Sequence, residues 1–188
     1  MAKQQKPIQI REGDSAYHKK AFITILQLAY SGERAAARAY AGHWRSLPPG
    51  YERETIARIE KEEVEHRQTV GKMLHELNAK PALWREILMN FIGNCAYVGC
   101  FFTGWFLPMY FAGKLENDNV KEYDVAAAHA HALGLDHLLP ALHEMSKTEA
   151  EHELFFSRCV SNHWLLKPVR AIVGWDPQIV LAKYADEP

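Results

Sequence analysis

Apolar side chains recur at intervals of three and four residues in four long segments of the chain, and this periodicity predicts four amphipathic helices. The predicted helices cover about residues 20–45, 51–78, 115–133 and 138–161. A Leu-Pro-Pro-Gly sequence at 47–50 ends the first helix, Lys80-Pro81 follows the second, and Gly134 separates the third from the fourth. Sustained alternation of apolar and polar residues, which is typical of strands, is found in no segment, so the pattern predicts an all-α protein.

The order of these segments predicts two helical hairpins, because a short turn joins the first helix to the second and the third to the fourth. Between the hairpins, residues 87–113 carry no charged side chain. This stretch is long enough for a membrane-spanning helix, but its glycines and Pro108 interrupt it, which favours a buried crossover or a surface that docks shallowly on a bilayer. We therefore expect a four-helix bundle of two hairpins joined by a long apolar crossover connection. The bundle would occupy residues 19–165, after a flexible lead-in at 1–18 and before a tail at 166–188.

The charge balance of the chain is close to neutral, and this narrows the choice of partners. With 22 Lys+Arg against 23 Asp+Glu, the 188-residue chain has a formal net charge of −1, which gives no electrostatic footprint for a nucleic-acid partner. The three cysteines form no CxxC pair, so neither a disulfide framework nor a thiolate metal site is expected. The polar N-terminus is followed by no apolar run, so no signal peptide is predicted. These features favour a cytoplasmic protein.

Two glutamates precede histidines by the same three-residue interval in the second and fourth predicted helices. Glu63 and His66 form the first pair, and Glu149 and His152 form the second. Side chains three residues apart project about 60° apart on one face of a helix, so a carboxylate and an imidazole can reach the same metal ion. Both pairs lie on the predicted inward stripe, in corresponding positions of the two hairpins. They are therefore candidate metal ligands.

A di-metal site inside a helical bundle also takes one carboxylate from each of the other two helices. In the first predicted helix the candidate is Glu33, which is the only acidic residue of that helix and lies on its inward stripe. A lone charge that faces a core is costly unless it is neutralised, and a metal ion would neutralise it. In the third predicted helix we favour Glu116, and Glu122 is the alternative. Six residues apart, these two side chains face different directions, so both cannot serve equivalently.

Two tyrosines repeat the same spacing in the two halves of the chain. Tyr40 follows Glu33 by seven residues, and Tyr123 follows Glu116 by seven residues. This repeat is one reason for preferring Glu116 as the ligand of the third helix. The tyrosines are predicted either to orient ligands from behind or to pack in the core with their hydroxyls satisfied.

Five short motifs carry a resemblance to a known family. They are Ser31-Gly32-Glu33, Ala39-Tyr40-Ala41-Gly42, Glu63-Val64-Glu65-His66, Gly113-Lys114 and Glu149-Ala150-Glu151-His152. With the uncharged stretch before the third helix, they resemble the ferritin-like di-iron carboxylate proteins, and among these the demethoxyubiquinone hydroxylase family of quinone biosynthesis. The likeness covers about residues 20–165. The chain departs from the family just before Tyr123, where the family has histidine and this chain has Glu122, and its run at 115–119 is more polar.

The resemblance implies a ferritin-like fold and six ligands for two iron ions. These ligands would be Glu33, Glu63, His66, Glu116, Glu149 and His152. By the same resemblance, Glu63 and Glu149 would bridge or flank the two irons. The candidate catalytic residues would then be Glu63, Glu149, Tyr40 and Tyr123. Carboxylates and imidazoles without thiolates suit non-haem iron, with manganese as the alternative metal.

Three functions are compatible with these residues. The first, which the resemblance favours, is an oxygen-dependent di-iron monooxygenase that hydroxylates a quinone-like or other apolar substrate, with dioxygen and an external electron donor. The second is an iron-handling ferroxidase or store, although a cage-forming store fits poorly with the apolar stretch at 87–113. The third is a non-enzymatic helical bundle whose buried acids form salt bridges, which are hard to justify by stability alone. The sequence leaves the oligomeric state open, a homo-oligomer included.

The C-terminal tail adds a hypothesis about membranes. Trp164, Lys167, Arg170 and Trp175 supply the aromatic and basic side chains that are favoured at a membrane interface. Together with residues 87–113, the tail predicts peripheral contact with the inner face of a membrane, from which a lipophilic substrate would enter. The alternative is a tail that packs over one end of the bundle.

Overall fold

The structure of the chain, a computed structural model, describes residues 15–185 and is built from helices joined by short turns. The α-helices are α1 (Ser15–Ser46), α2 (Tyr51–Glu76), α3 (Leu83–Gly99), α4 (Phe106–Ala132), α5 (Leu139–Val160), α6 (Leu166–Val173) and α7 (Pro177–Lys183). A short 3-10 helix, Asp136–Leu138, precedes α5. Because residues 15–185 contain no strand, the predicted all-α class is confirmed. Of the predicted lead-in, residues 1–14 lie outside the described part, whereas residues 15–18 already belong to α1, so the predicted start at 19 is late.

Two apolar clusters fill the space between α1, α2, α4 and α5, one toward each end of these helices. The first cluster includes Phe22 of α1 and Val70 of α2, and the second includes Ile56 of α2 and Phe156 of α5. Along α1 the chain passes from the first cluster to the second, and along α2 it returns. The same alternation holds for α4 and α5, so consecutive helices of each pair run in opposite directions. The polar inward residues lie between the two clusters.

Helix α4 begins at Phe106, nine residues before the predicted start of the third helix at 115. Pro108 lies in its first turn, where the missing backbone N–H would have no partner within the helix in any case. The side chains of Phe106, Met109 and Tyr110 are buried at helical spacing, which fixes this first turn on the core. The prediction placed this helix too late because an apolar run shows no polar face from which to recognise a helix.

Helix α3 contains the first 13 residues of the uncharged stretch, 87–99, and it packs along α1. Two glycines make the approach close: a Cβ on Gly42 would lie 2.5 Å from Tyr97 Cα, and a Cβ on Gly93 would lie 2.9 Å from Ala35 Cα. At its first turn, Glu86 is buried. The Glu86 carboxylate accepts hydrogen bonds at 3.2 Å from Arg34 of α1 and at 2.7 Å from Arg67 of α2.

The outer face of α3 is exposed, so the expectation of a buried crossover is wrong for this helix. Glu86 and Gly93 are its only buried residues. Large apolar side chains on the other face, among them Trp84, Ile87 and Phe91, are each more than half exposed. Within residues 15–185, none of the helices combines the length and the apolar character that crossing a membrane requires.

The C-terminal segment packs on α4 and α5, and Trp175 is among its buried residues. Gly174 ends α6 in the left-handed region with φ 86°, and the chain then turns Trp175 inward. The indole of Trp175 lies against α4 so closely that Gly113 leaves no space for a Cβ atom. Its Nε1 donates to Glu153 Oε1 at 3.0 Å, and the Tyr110 hydroxyl donates to its carbonyl oxygen at 2.6 Å. Packing on the helical body, one of the two predicted roles of the tail, is therefore observed at Trp175.

Candidate metal centre

The six predicted ligands come together in the layer between the two apolar clusters. They form two overlapping groups. In each group every residue contributes one ligand atom, and these atoms all lie within 4.8 Å of one another. The first group is Glu33, Glu63, His66 and Glu149, and the second is Glu63, Glu116, Glu149 and His152. All six side chains are buried. Because Glu63 and Glu149 belong to both groups, the arrangement has the form of two adjacent sites that share two carboxylates.

Each group draws on three of the four long helices that surround the layer. The pairs Glu63/His66 and Glu149/His152 face inward from α2 and α5, as the three-residue interval predicts. Glu33 enters from α1 and Glu116 enters from α4.

Glu122, the alternative to Glu116, lies outside both groups. It is half-buried on α4, and its Oε1 atom is buried without a hydrogen-bond partner among the described residues. Burial, and then the charge of Glu33, raise the pKa of the Glu122 carboxyl to about 7. The structure thus places Glu116 among the candidate ligands and Glu122 at their periphery.

The two tyrosines contact the glutamates of opposite halves of the chain. The hydroxyl of Tyr40 on α1 donates to Glu116 on α4, and the hydroxyl of Tyr123 on α4 donates to Glu33 on α1. Each tyrosine follows a glutamate of its own helix by seven residues, but its hydroxyl contacts the glutamate of the other helix. The contacts cross because seven residues are two helical turns, so each tyrosine lies beside the neighbouring helix's carboxylate rather than its own.

His152 is held from two sides. Its Nδ1 faces the layer, at 3.5 Å from Glu63 Oε1 and 3.4 Å from Glu149 Oε2, while its Nε2 lies 2.8 Å from Glu62 Oε2. Glu62 in turn accepts a hydrogen bond from Arg58 at 2.6 Å. A carboxylate behind the ring is the usual device that orients a metal-binding histidine. Nothing in the sequence indicated this role for Glu62, because a contact between α2 and α5 cannot be seen in one segment of the chain.

The buried carboxylates lie close to one another, and the nearby histidines supply too little positive charge to neutralise all of them. Burial raises the pKa values of Glu33, Glu63 and Glu116, and the nearby charge of Glu149 raises them further. Burial alone would also raise the pKa of Glu149, but its close contacts with His152 and His66 outweigh burial and lower it to about 2. The same contacts with Glu149 raise the pKa values of His66 and His152 against the effect of burial.

Several ligand atoms in this layer have no hydrogen-bond partner among the described residues. They are Glu33 Oε2, Glu63 Oε1, Glu63 Oε2, Glu149 Oε2 and His152 Nδ1. Buried polar atoms are normally paired, and unpaired ones cost about 1–3 kcal/mol each. Oxygens and an imidazole nitrogen that converge without partners fit divalent cations, which would satisfy all of them together.

The chemistry of the donor set is that of a hard or borderline metal. Four carboxylates balance the charge of two divalent cations, and two imidazoles complete the set. All three cysteines lie outside both groups. No family model matches the chain, and neither does any curated protein or solved structure. The site itself is therefore the basis for inferring function.

An apolar cavity of about 350 Å³ lies between α1, α3 and α4 and reaches the wall of the site. Tyr40, which donates to Glu116, forms part of its lining, and so does His43 one turn further along α1. Burial lowers the pKa of His43 to about 4, so its ring is neutral at physiological pH. Sequence reasoning missed His43, although its position three residues after Tyr40 on the same face was a usable signal.

Proposed function

We propose that the protein is an oxygen-dependent di-iron monooxygenase that hydroxylates a quinone-like or other apolar substrate. The observation that carries the proposal is the pair of overlapping Glu/His groups that share Glu63 and Glu149, with ligand atoms left unpaired. A non-enzymatic bundle would leave those atoms unsatisfied at a cost in stability. Manganese is the alternative metal for the same ligands.

The proposed fold is a ferritin-like four-helix bundle. Its four helices would be α1, α2, α4 and α5, which surround the Glu/His layer and supply all six residues. Helix α3 would then lie within the long connection between the two hairpins rather than inside the bundle. Two glutamates and two Glu-x-x-His pairs are the ligand supply expected of a di-iron bundle.

The residues of the chain have distinct roles in the proposed reaction. Glu33 and His66 would hold one ion, Glu116 and His152 the other, and Glu63 and Glu149 would lie between them. The two ferrous ions, when bound, supply the electrons and the open positions for dioxygen chemistry. Tyr40 and Tyr123 donate hydrogen bonds to Glu116 and Glu33 and so fix the orientation of those carboxylates. The apolar clusters on both sides exclude bulk water from the layer.

The metal content of the purified protein tests the proposed site. After production with ample iron we expect about two irons per chain in the wild type, and none in the double variant Glu63→Ala, Glu149→Ala, because both carboxylates shared by the two groups are removed. The measurement is elemental analysis together with the near-ultraviolet absorption that bound iron gives to the protein.

The matched control for this measurement changes the exposed central glutamates of the same two motifs. The double variant Glu65→Ala, Glu151→Ala removes equal charge from the outer faces of α2 and α5, and it is expected to keep its iron. A wild type that stays metal-free in iron and in manganese, while folding normally, would refute the proposed site.

The substrate class follows from the apolar cavity beside Tyr40. Hydroxylation inserts one oxygen atom of O₂ into a C–H bond, and the second oxygen leaves as water with two electrons and two protons from the external donor. We expect a short-tailed benzoquinone to bind the wild type and to be hydroxylated. Ala96→Phe would fill the cavity from α3 and weaken that binding about tenfold or more, which is about 1.4 kcal/mol, without loss of iron.

Quinone titration and mass analysis of the product check this expectation. Ala132→Phe adds the same ring at an exposed position in the last turn of α4 and serves as the control. Dioxygen consumption driven by ferrous ion alone, with no quinone bound by the wild type, would favour the ferroxidase instead.

We propose peripheral membrane contact as the route by which the substrate arrives. The exposed apolar side chains of α3 continue to Phe102, which is 83% exposed and directly precedes Thr103 in the cavity wall. Apolar surface of this kind, next to an apolar cavity, suits a lipid-dissolved substrate. We expect the wild type to float with liposomes at low salt, and the variant Trp84→Ser, Phe91→Ser to float less than the control Val64→Ser on α2. Wild-type protein that remains wholly in the soluble fraction would contradict this route.

A further inference from the structure

A second, small cavity lies between α1 and α4 and leads to the candidate ligands from another direction. Its volume is about 30 Å³, and its lining includes Gly32, Glu33, Asn119, Glu122 and Tyr123. Gly32, Asn119 and Glu122 are half-buried, whereas Glu33 and Tyr123 are buried, so the lining passes from the surface to a candidate ligand. A space of this size holds about one water molecule or one small ion.

The polar atoms of this cavity indicate that it binds a cation. Glu122 Oε1 and Glu33 Oε2 are both buried and have no hydrogen-bond partner among the described residues. Glu33 is 3% exposed, so its unpaired oxygen is a deeply buried one. Asn119 Nδ2 donates to Glu116 Oε2 at 3.1 Å, which connects the same wall to the second candidate group. Two carboxylates and an amide are oxygen-donor groups that suit a divalent cation and do not suit an apolar molecule.

The larger cavity beside Tyr40 is a poor path for a hydrated cation. Its lining is mostly apolar, and its few polar members, Tyr40, His43, Cys100 and Thr103, include no carboxylate. A cation that sheds water in such surroundings gains no carboxylate oxygen in exchange, which is costly. At the smaller cavity, each water that the cation loses can be replaced by a carboxylate oxygen.

We infer that Glu122 is the entry carboxylate through which divalent cations reach the metal site, by transfer from Glu122 to Glu33. The inference rests on the proposed di-metal function. In this arrangement substrate and metal use separate routes, the apolar cavity along α3 and the polar cavity between α1 and α4. Glu122 is not a permanent ligand, since it lies outside both Glu/His groups.

Gly32 allows the same route to be tested by steric means. A Cβ at this position would meet no heavy atom within 4 Å, so the space beside it is open. Gly32→Leu would place a side chain at the entrance while every carboxylate stays in place. Glu122→Gln removes the charge with almost no change in size. Glu65→Gln removes one charge from an exposed position on α2 and is the matched control.

The experiment follows Co²⁺ uptake by metal-free protein, using stopped-flow visible absorption and a final count of bound metal. We expect Glu65→Gln to match the wild type, and Glu122→Gln and Gly32→Leu to take up Co²⁺ about tenfold more slowly or worse, because a focusing charge or an open path is lost. The final stoichiometry and spectrum should equal those of the wild type.

Each other outcome has a definite meaning. Uptake by Glu122→Gln at the wild-type rate overturns the entry role, whatever Gly32→Leu does. A lower final stoichiometry in Glu122→Gln also overturns it, because Glu122 would then be a ligand. A wild type that takes up no Co²⁺, Fe²⁺ or Mn²⁺ overturns the proposed function and this inference together, so the two failures are distinguishable.

Discussion

Replacing Glu63 by methionine is expected to make the metal-free protein more stable and to abolish its stabilisation by metal. Glu63 is fully buried, and both of its carboxylate oxygens lack hydrogen-bond partners among the described residues. Burial and the charges of Glu149 and Glu33 raise the pKa of Glu63, so holding this carboxyl in the layer costs free energy whether it is ionised or protonated. Methionine has a similar length and no ionisable group, and so it removes this cost. We expect the free energy of unfolding without metal to rise by about 1–3 kcal/mol.

This variant should gain stability without metal but lose the stabilisation that metal binding gives to the wild type. Anaerobic Fe²⁺ at about 1,000 times its Kd would stabilise the wild type by about 4 kcal/mol, because the ion binds only the folded state. Glu63→Met lacks a carboxylate that both groups share, so Fe²⁺ should leave its unfolding free energy almost unchanged. Urea unfolding with chelator and with Fe²⁺ measures both quantities.

The control for this prediction lies two residues away on α2. Glu65 is exposed, and Glu65→Met should change neither the stability without metal by more than about 0.5 kcal/mol nor the response to Fe²⁺. If Glu63→Met destabilises the metal-free protein, the Glu63 carboxylate has a protein partner that the geometry does not show. The interpretation of its oxygens as metal ligands would then be wrong.

The candidate site was predictable from sequence because the spacing of its residues within single helices already indicates metal ligands. A Glu-x-x-His pair fixes two side chains on one face of one helix, whatever the neighbouring helices do. The repeat of that pair in two helices, together with single acids in the other two, was enough to select Glu33 and Glu116. The seven-residue interval that Glu33–Tyr40 and Glu116–Tyr123 share favoured Glu116 over Glu122, and Glu116 is the one that lies in a Glu/His group.

The features that sequence reasoning missed all depend on contacts between distant segments. Glu62 behind His152, Trp175 against Gly113 and His43 in the cavity wall each acquire their roles from another helix. Helix α3 was hidden for a different reason. Its apolar face is exposed and Gly93 packs on α1, so the usual contrast between an apolar buried face and a polar outer face is missing.

The stability of the metal-free protein should fall as the pH rises above 6.5, while its affinity for metal rises. The folded-state pKa values of Glu33, Glu63 and Glu116 are raised by burial, and those of His66 and His152 are raised through their contacts with Glu149. Above pH 6.5, the ordinary histidine value, the unfolded chain has lost most of these protons and the folded chain keeps more of them. Stability falls with pH wherever the folded state binds more protons.

The other groups with shifted pKa values do not reverse the fall of stability with rising pH above pH 6.5. The pKa values of His43 and His129 are lowered, so they reduce stability only as the pH falls below 6.5. The pKa of Glu149 is lowered to about 2, so the stability it contributes is lost only as the pH falls below about 4.5. Each proton that the folded state retains should therefore cost about 1.4 kcal/mol of unfolding free energy per pH unit above 6.5.

Metal ions compete with these protons for the same ligand atoms. Once the site is filled, the free energy of unfolding should therefore rise with pH instead of falling. Binding requires ionised carboxylates and neutral imidazoles, so each bound ion displaces protons and binds more tightly as the pH rises. We expect urea unfolding in chelator to show falling stability from pH 6.5 upward, and Mn²⁺ titration over the same range to show rising affinity with proton release into weak buffer. Glu63→Met should flatten the first slope because one proton-holding group is gone. Constant stability in chelator together with metal affinity independent of pH would mean that the six residues do not share protons and metal in one site.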